Sequence, residues 1–167
     1  MIFLTVGNAT QGFARLIEAV DSLGLRGGLG SEEVLAQTGH TCIEQSRYCQ
    51  CRDFLPMEEF EALIRQAELI VTHGGAGTLL HVLSLGRVPV VMPRLKKYGE
   101  HVDDHQVDLI QVLAGAGRVI PAYEVQDLPG AIAEARHRQN QSITTGGGLQ
   151  MRNLVADAMK ELLHQSI

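Results

Sequence analysis

The chain has 167 residues, a formal charge of −5, and near-average shares of apolar (45%) and charged (20%) side chains, enough for one well-buried domain and short for two. The acid surplus disfavours a general nucleic-acid binder, because a phosphate backbone rewards surplus Lys and Arg. No uncharged run approaches membrane-spanning length, and the N-terminus opens on an apolar segment rather than a basic leader, so a cytoplasmic protein is expected.

Strand and helix signals alternate along the chain. Ile2 to Val6 reads as a buried strand ending in Gly7-Asn8, and Phe13, Leu16, Ile17 and Val20 then fall at helical spacing. Leu25 to Ser31 is glycine-rich and aperiodic, a connection. Glu33 to Gln37 returns as a strand ending in Thr38-Gly39-His40, and Pro56 suits the start of a helix over Met57 to Ala67. Leu69-Ile70-Val71 is a third strand, followed by a glycine turn and a helix, and Val88 to Met92 is a fourth. A helix opening near Asp103-Asp104 runs to Leu113, with Gly115 and Gly117 ending it. Arg118 to Pro121 is a last short strand and Leu128 to His137 a helix. Asn140 to Gly148 reads as a polar glycine loop and Met151 to Leu163 as an amphipathic closing helix. Such alternation implies βαβ units, a parallel sheet and right-handed crossovers. The expected architecture is a single Rossmann-like α/β domain over residues 1–167 with helices on both faces of the sheet.

Cys42, Cys49 and Cys51 are an odd count in no disulfide-scaffold pattern, which points to reduced thiols. With His40 they offer four zinc-type ligands within twelve residues. The single-residue gap of Cys49-Gln50-Cys51 is not the usual pair spacing of structural zinc.

The stretch from Glu68 to Gln106 carries the chemistry. After the third strand comes Thr72-His73-Gly74-Gly75-Ala76-Gly77-Thr78, meeting a helix start. Free backbone amides and the positive end of the helix dipole make such a turn a natural phosphate or diphosphate site. The fourth strand delivers Pro93-Arg94 at its carboxyl end, the side of a parallel sheet where ligands collect. The first turn, Gly7-Asn8-Ala9-Thr10-Gln11-Gly12, lacks the dinucleotide fingerprint, and no acid closes the second strand, so NAD is disfavoured.

Taken as a set, MIFLTVG with Phe13 downstream, QTGH, HGGAGT and PRLKKYGEHVDDHQ resemble the C-terminal half of glycosyltransferase family 28 over about Met1 to Ile120. More narrowly they resemble the small stand-alone subunits of bacterial exopolysaccharide and capsule glycosyltransferases. Those are related to the soluble subunit of the eukaryotic dolichol-pathway N-acetylglucosaminyltransferase. The resemblance implies a GT-B donor domain binding a UDP-sugar, with the acceptor domain on a separate membrane-associated polypeptide. It further implies that His73, Gly74, Gly75, Ala76, Gly77 and Thr78 hold the diphosphate and that Arg94 adds charge beside it. Asp104 and Gln106 would hydrogen-bond the donor sugar, with His105 between them. Glu100 and His101 would form a wall of the pocket, and Gly7 and Asn8 would face the interdomain cleft. Two positions depart from the family: relatives often carry Thr where Asn8 stands, and an acid for the ribose hydroxyls where His81 stands.

Inverting transfer needs a stabilised leaving group, a positioned anomeric carbon and a base for the acceptor hydroxyl. A helix N-terminus and an arginine can serve the leaving group without a metal, and Asp103-Asp104 is adjacent rather than spaced as a DxD pair, so no cofactor or metal is expected. His73, His101 and His105 are candidate bases, although in GT-B enzymes the base usually comes from the acceptor domain. The chain is thus expected to act as the soluble half of a two-component transferase. It would lie at the inner face of the membrane through a partner and pass sugar to a lipid-linked saccharide. Leu154, Val155, Ala158, Leu162 and Leu163 form an apolar stripe that could dock that partner. The alternative is a non-catalytic UDP-sugar-binding module using the same pocket.

Overall fold

The computed structural model describes residues 1–44 and 46–145. Six strands form one sheet: β1 (Ile2–Thr5), β2 (Val34–Gln37), β3 (Cys49–Arg52), β4 (Leu69–His73), β5 (Val90–Met92) and β6 (Ile120–Pro121). Their order is β3-β2-β1-β4-β5-β6 and every pairing is parallel. Among the described residues five α-helices cover it: α1 (Ala14–Leu25), α2 (Met57–Gln66), α3 (Ala76–Ser84), α4 (His105–Gly115) and α5 (Leu128–Thr145).

Side-chain alternation assigns the two faces. Ile2, Leu4, Leu69, Val71, Val90 and Met92 point one way and pack with Leu16, Ile17 and Val20 of α1 and Leu128, Ile132 and Ala135 of α5. Phe3, Ile70 and Val91 point the other way, onto Ile64 of α2, Leu79, Val82 and Leu83 of α3, and Ile110 and Leu113 of α4. Strands buried on both faces explain the unbroken apolar runs of β1 and β4. Connections from β1 lead one way across the sheet and those from β4 lead the other. The carboxyl ends of these two neighbours therefore splay apart at the switch point, where a crevice must open.

The structure differs from the sequence reading in two elements. β3 occupies Cys49–Arg52, where no strand was expected because Cys-Gln-Cys-Arg has little apolar or β-branched character. α5 continues to Thr145 through the start of the expected polar loop, since Asn140 to Thr145 contain neither Gly nor Pro to stop it. The remainder of that loop and the expected closing helix with its apolar stripe lie outside the described residues. Among the described residues no helix is long and apolar enough to cross a membrane.

Candidate functional site

The crevice at the switch point measures about 560 Å³. Gly7 and Asn8 follow β1, His73 ends β4, and Gly75, Gly77 and Thr78 open α3; all six line it. The opposite wall is apolar: Phe54 and Leu55 come from the β3–α2 connection and Met57 and Phe60 from the start of α2, with Phe54 and Met57 half or more exposed. Thr5, Gln37 and His81 complete the lining. The sequence reading missed this apolar wall. Its one available signal was Phe54-Leu55 just before the proline-started helix, which reads equally well as core.

Helix α3 opens without any side-chain cap. Its first intrahelical bond runs from the Leu79 N–H to the Gly75 carbonyl, at 3.0 Å, so the amides before Leu79 point into the crevice mouth without an intrahelical acceptor. The glycines here are required by the His73 ring. A Cβ on Gly75 would stand 2.2 Å from His73 Nε2, and one on Gly7 would stand 2.4 Å from His73 Cε1. Gly7 also has φ +75, a region that side chains avoid. A Cβ on Gly74 would fall 2.8 Å from Ile110 and 2.9 Å from Gln106. At Gly77 nothing lies within 4 Å, leaving open space in front of the helix end.

His73 is 7% exposed. Burial, aided by the positive charges of Arg94 and His101, lowers its pKa to about 4, so it is neutral at ordinary pH. Its Nδ1 lies 3.4 Å from Thr72 Oγ1.

Arg94 stands elsewhere than the diphosphate reading expects. Its side chain is fully buried, with Nη2 donating to the Val6 carbonyl at 2.6 Å and Nη1 to the carbonyls of Gln11, at 2.6 Å, and Glu100, at 3.2 Å. The Phe13 ring lies 5.1 Å below the guanidinium. The side chain staples the β1 loop to the β5 loop, and its charge reaches the crevice only through space. Nε has no hydrogen-bond partner among the described residues, and burial pulls the guanidinium pKa below its usual value.

Glu100, expected in the pocket wall, is also buried. It grips Arg15 through both oxygens at 2.9 Å and accepts from the Leu95 N–H. Asp104 and Gln106 are not neighbours on one surface. Gln106 is buried and its Oε1 accepts the Arg94 N–H at 3.0 Å, whereas Asp104 is exposed, accepts the Lys96 N–H at 2.8 Å, and faces a second groove with Asp108, Tyr123 and Glu124. Helix α4 starts at His105, so residues 104 and 106 fall on different sides of its first turn.

His101 and His105 bracket Asp103. His101 Nδ1 is 3.0 Å from Asp103 Oδ1, the His105 N–H donates to that same oxygen at 3.1 Å, and His105 Nε2 is 3.9 Å from Oδ2. The His105 amide bond, together with the two imidazoles, holds the Asp103 carboxyl below its ordinary pKa despite some desolvation. His81, which stands where the resemblance expects an acid for the ribose, brings Nε2 to 3.4 Å from Glu61 Oε1 of α2, yet without hydrogen-bond alignment.

The three cysteines are free: Cys49 is buried, Cys42 and Cys51 are exposed, and burial pushes the Cys49 thiol to about 12. Among the described residues no group of three or more His, Cys, Asp or Glu is placed to hold a metal ion.

The family described as "Glycosyltransferase family 28 C-terminal domain" matches residues 1–162, further along the chain than the motifs alone reach. The fold is similar to the glycosyltransferase of kitacinnamycin (TM-score 0.65, 19% identity, covering 99% of this chain and 43% of that one). It is also similar to spinosyn forosaminyltransferase SpnP (0.58, 15%, 93% and 39%). A third is the glycosyltransferase SnogD from Streptomyces nogalater (0.52, 22%, 97% and 43%). The chain therefore spans less than half the length of these enzymes, and the likeness at such identities is one of fold. No curated protein sequence matches the chain.

Proposed function

The chain belongs to the glycosyltransferase family 28 C-terminal domain family, and from that membership we propose that it is the donor-binding half of an inverting glycosyltransferase using a UDP-sugar. The observation that carries this reading is the pairing, in one crevice, of an uncapped helix N-terminus with an apolar wall. The open amides of α3 suit a diphosphate, and the open space at Gly77 leaves room for it. Phe54, at 50% exposure, offers a flat surface for a planar base across the crevice. The buried Arg94 contributes a positive field rather than a contact, so leaving-group charge is met chiefly by oriented backbone dipoles.

The acceptor, in this reading a lipid-linked saccharide, is held by a membrane-associated acceptor domain outside these 167 residues, which brings the chain to the inner face of the membrane. Support comes from the matched family, described as a C-terminal domain, and from the part-length coverage of the solved enzymes. A non-catalytic carrier of UDP-sugar would use the same crevice, and no single observation favours it.

Calorimetric titration with UDP, UDP-glucose, UDP-N-acetylglucosamine and NAD, each with and without EDTA, tests the donor reading. UDP is expected to bind without metal and more tightly than NAD, and preference for NAD would sink it.

A further inference from the structure

Resting on the donor-site reading above, we infer that Gln37 selects the base of the donor nucleotide: its side-chain amide donates to the 4-carbonyl of uracil and turns cytosine away. Three observations carry it.

The first is an open donor on a buried side chain. Gln37 ends β2, is 8% exposed and lines the crevice. Its neighbour Thr5 is fully buried, and Thr5 Oγ1 already accepts the Gly7 N–H at 3.3 Å. The hydroxyl proton of Thr5 then needs an acceptor of its own, and Gln37 Oε1 stands 3.3 Å away. That contact decides which way round the amide sits, with its carbonyl on Thr5 and its NH2 turned outward. Among the described residues nothing pairs with Gln37 Nε2, and unlike His81 Nε2 and Arg94 Nε it is not sealed from solvent. A polar atom on a side chain buried this far is normally paired, and a bound ligand would complete it.

The second is place. The strand register sets Arg52, Gln37, Thr5 and Thr72 side by side across β3, β2, β1 and β4. Gln37 therefore lies two strand spacings, about 10 Å, from the end of β4 that leads into α3. A diphosphate on the α3 amides leaves the width of β1, at Thr5 and Gly7, for the ribose and sets the base over β2. The 4-position of a pyrimidine is opposite its ribose, so it is the ring group that reaches Gln37.

The third is a built slot. The Phe54 ring is met edge-on by the His40 ring, with centroids 5.0 Å apart. The turn that carries His40 directly follows Gln37 and is tied to the Phe54 segment, since the Thr38 N–H donates to the Arg52 carbonyl at 2.9 Å and the Gly39 N–H to the Asp53 carbonyl at 2.8 Å. One turn thus holds both the donor for the edge of a base and the aromatic ring for its face.

The selection follows from the donor alone. Uracil carries an acceptor oxygen at C4 and cytosine an amino group. Two donors facing each other where water is excluded would both go unpaired, and a site built to pair one group rejects the other by that penalty.

Calorimetry with UDP and CDP on the native chain, Gln37→Met and Gln37→Glu tests the assignment. The native chain is expected to prefer UDP by about tenfold or more. Gln37→Met, unbranched and of similar length but without a donor, is expected to weaken UDP by about five- to tenfold. CDP affinity should not fall, so the preference shrinks towards one. Gln37→Glu keeps an oxygen for Thr5 and turns an acceptor to the crevice, which should shift the preference towards CDP. If Gln37→Met fails to fold, Gln37→Glu and the native preference still decide the matter. Equal native affinity for the two nucleotides, a native preference for CDP, or a preference unmoved by either substitution would each overturn the base assignment. So would a loss in Gln37→Met shared equally by UDP and CDP, the mark of a structural role. Failure of the native chain to bind UDP or CDP would instead remove the donor reading, and this inference with it.

Discussion

His73 shows how one residue couples the fold to the site. Its ring fills the volume between Gly7 and Gly75, so the two turns that frame the crevice are built around an imidazole that cannot readily accept a proton. The sign of the consequence follows from linkage. Between its ordinary value of 6.5 and the folded value of about 4, the unfolded chain binds a proton that the folded chain does not. The contribution of His73 to stability is therefore complete above pH 6.5 and is lost as pH falls towards 4, by on the order of 3 kcal/mol. Urea midpoints of the native chain should fall more steeply across that window than those of His73→Gln. Equal slopes would refute the burial of a neutral imidazole. Arg94 teaches the complementary lesson at the same scale. A cation at a strand end reads as a phosphate ligand from sequence, and only its three carbonyl partners reveal a staple between loops.

Strand β3 has local sequence against it, yet Cys49–Arg52 pairs in register with all four residues of β2. The reason lies in α1. Asp21 Oδ1 accepts from Ser46 Oγ at 2.5 Å, the Tyr48 N–H at 2.7 Å, and the N–H groups of Arg47 and Cys49 at 3.1 Å. Although burial alone would raise its pKa, those donors hold the Asp21 carboxyl below its ordinary value. Tyr48 adds a ring against Gly24, where a Cβ would lie 2.2 Å away, and a hydroxyl on the Glu32 carbonyl at 2.7 Å. Asp21→Ala is expected to cost about 1–2 kcal/mol, discounted from the range for charge-assisted bonds because the group is partly exposed. It should also speed amide exchange in β3 well before β1. Uniform exchange across the sheet would show that Asp21 does not anchor this edge. β1, β4 and α3, by contrast, were legible in the sequence because apolar runs and helical spacing agree there with the final burial. β3 was not, because its determinant is a carboxylate 25 or more residues away in sequence.

At the scale of the molecule, one Rossmann-like domain presents its crevice outward, and the reaction proposed for it needs a second reactant face across that opening. The isolated chain is accordingly expected to transfer no sugar from a UDP-sugar to a lipid-linked acceptor, and to do so when an acceptor-binding domain is supplied in membranes. Incorporation of radiolabelled sugar into the lipid fraction measures this, and robust transfer by the chain alone would contradict it. The amino-acid sequence by itself determined the alternation of strands and helices, the parallel α/β architecture, the glycine turn at the start of α3 and the family, all of which rest on short-range pattern. Tertiary structure alone decided which polar residues face the crevice. Gln106, Glu100 and Arg94 turn inward to satisfy buried backbone groups, Asp104 faces a separate groove, and Phe54 and Met57 arrive as a wall. The physical reason is that a side chain's task is set by the partner it meets, and those partners lie on other elements, brought close only when the sheet has formed.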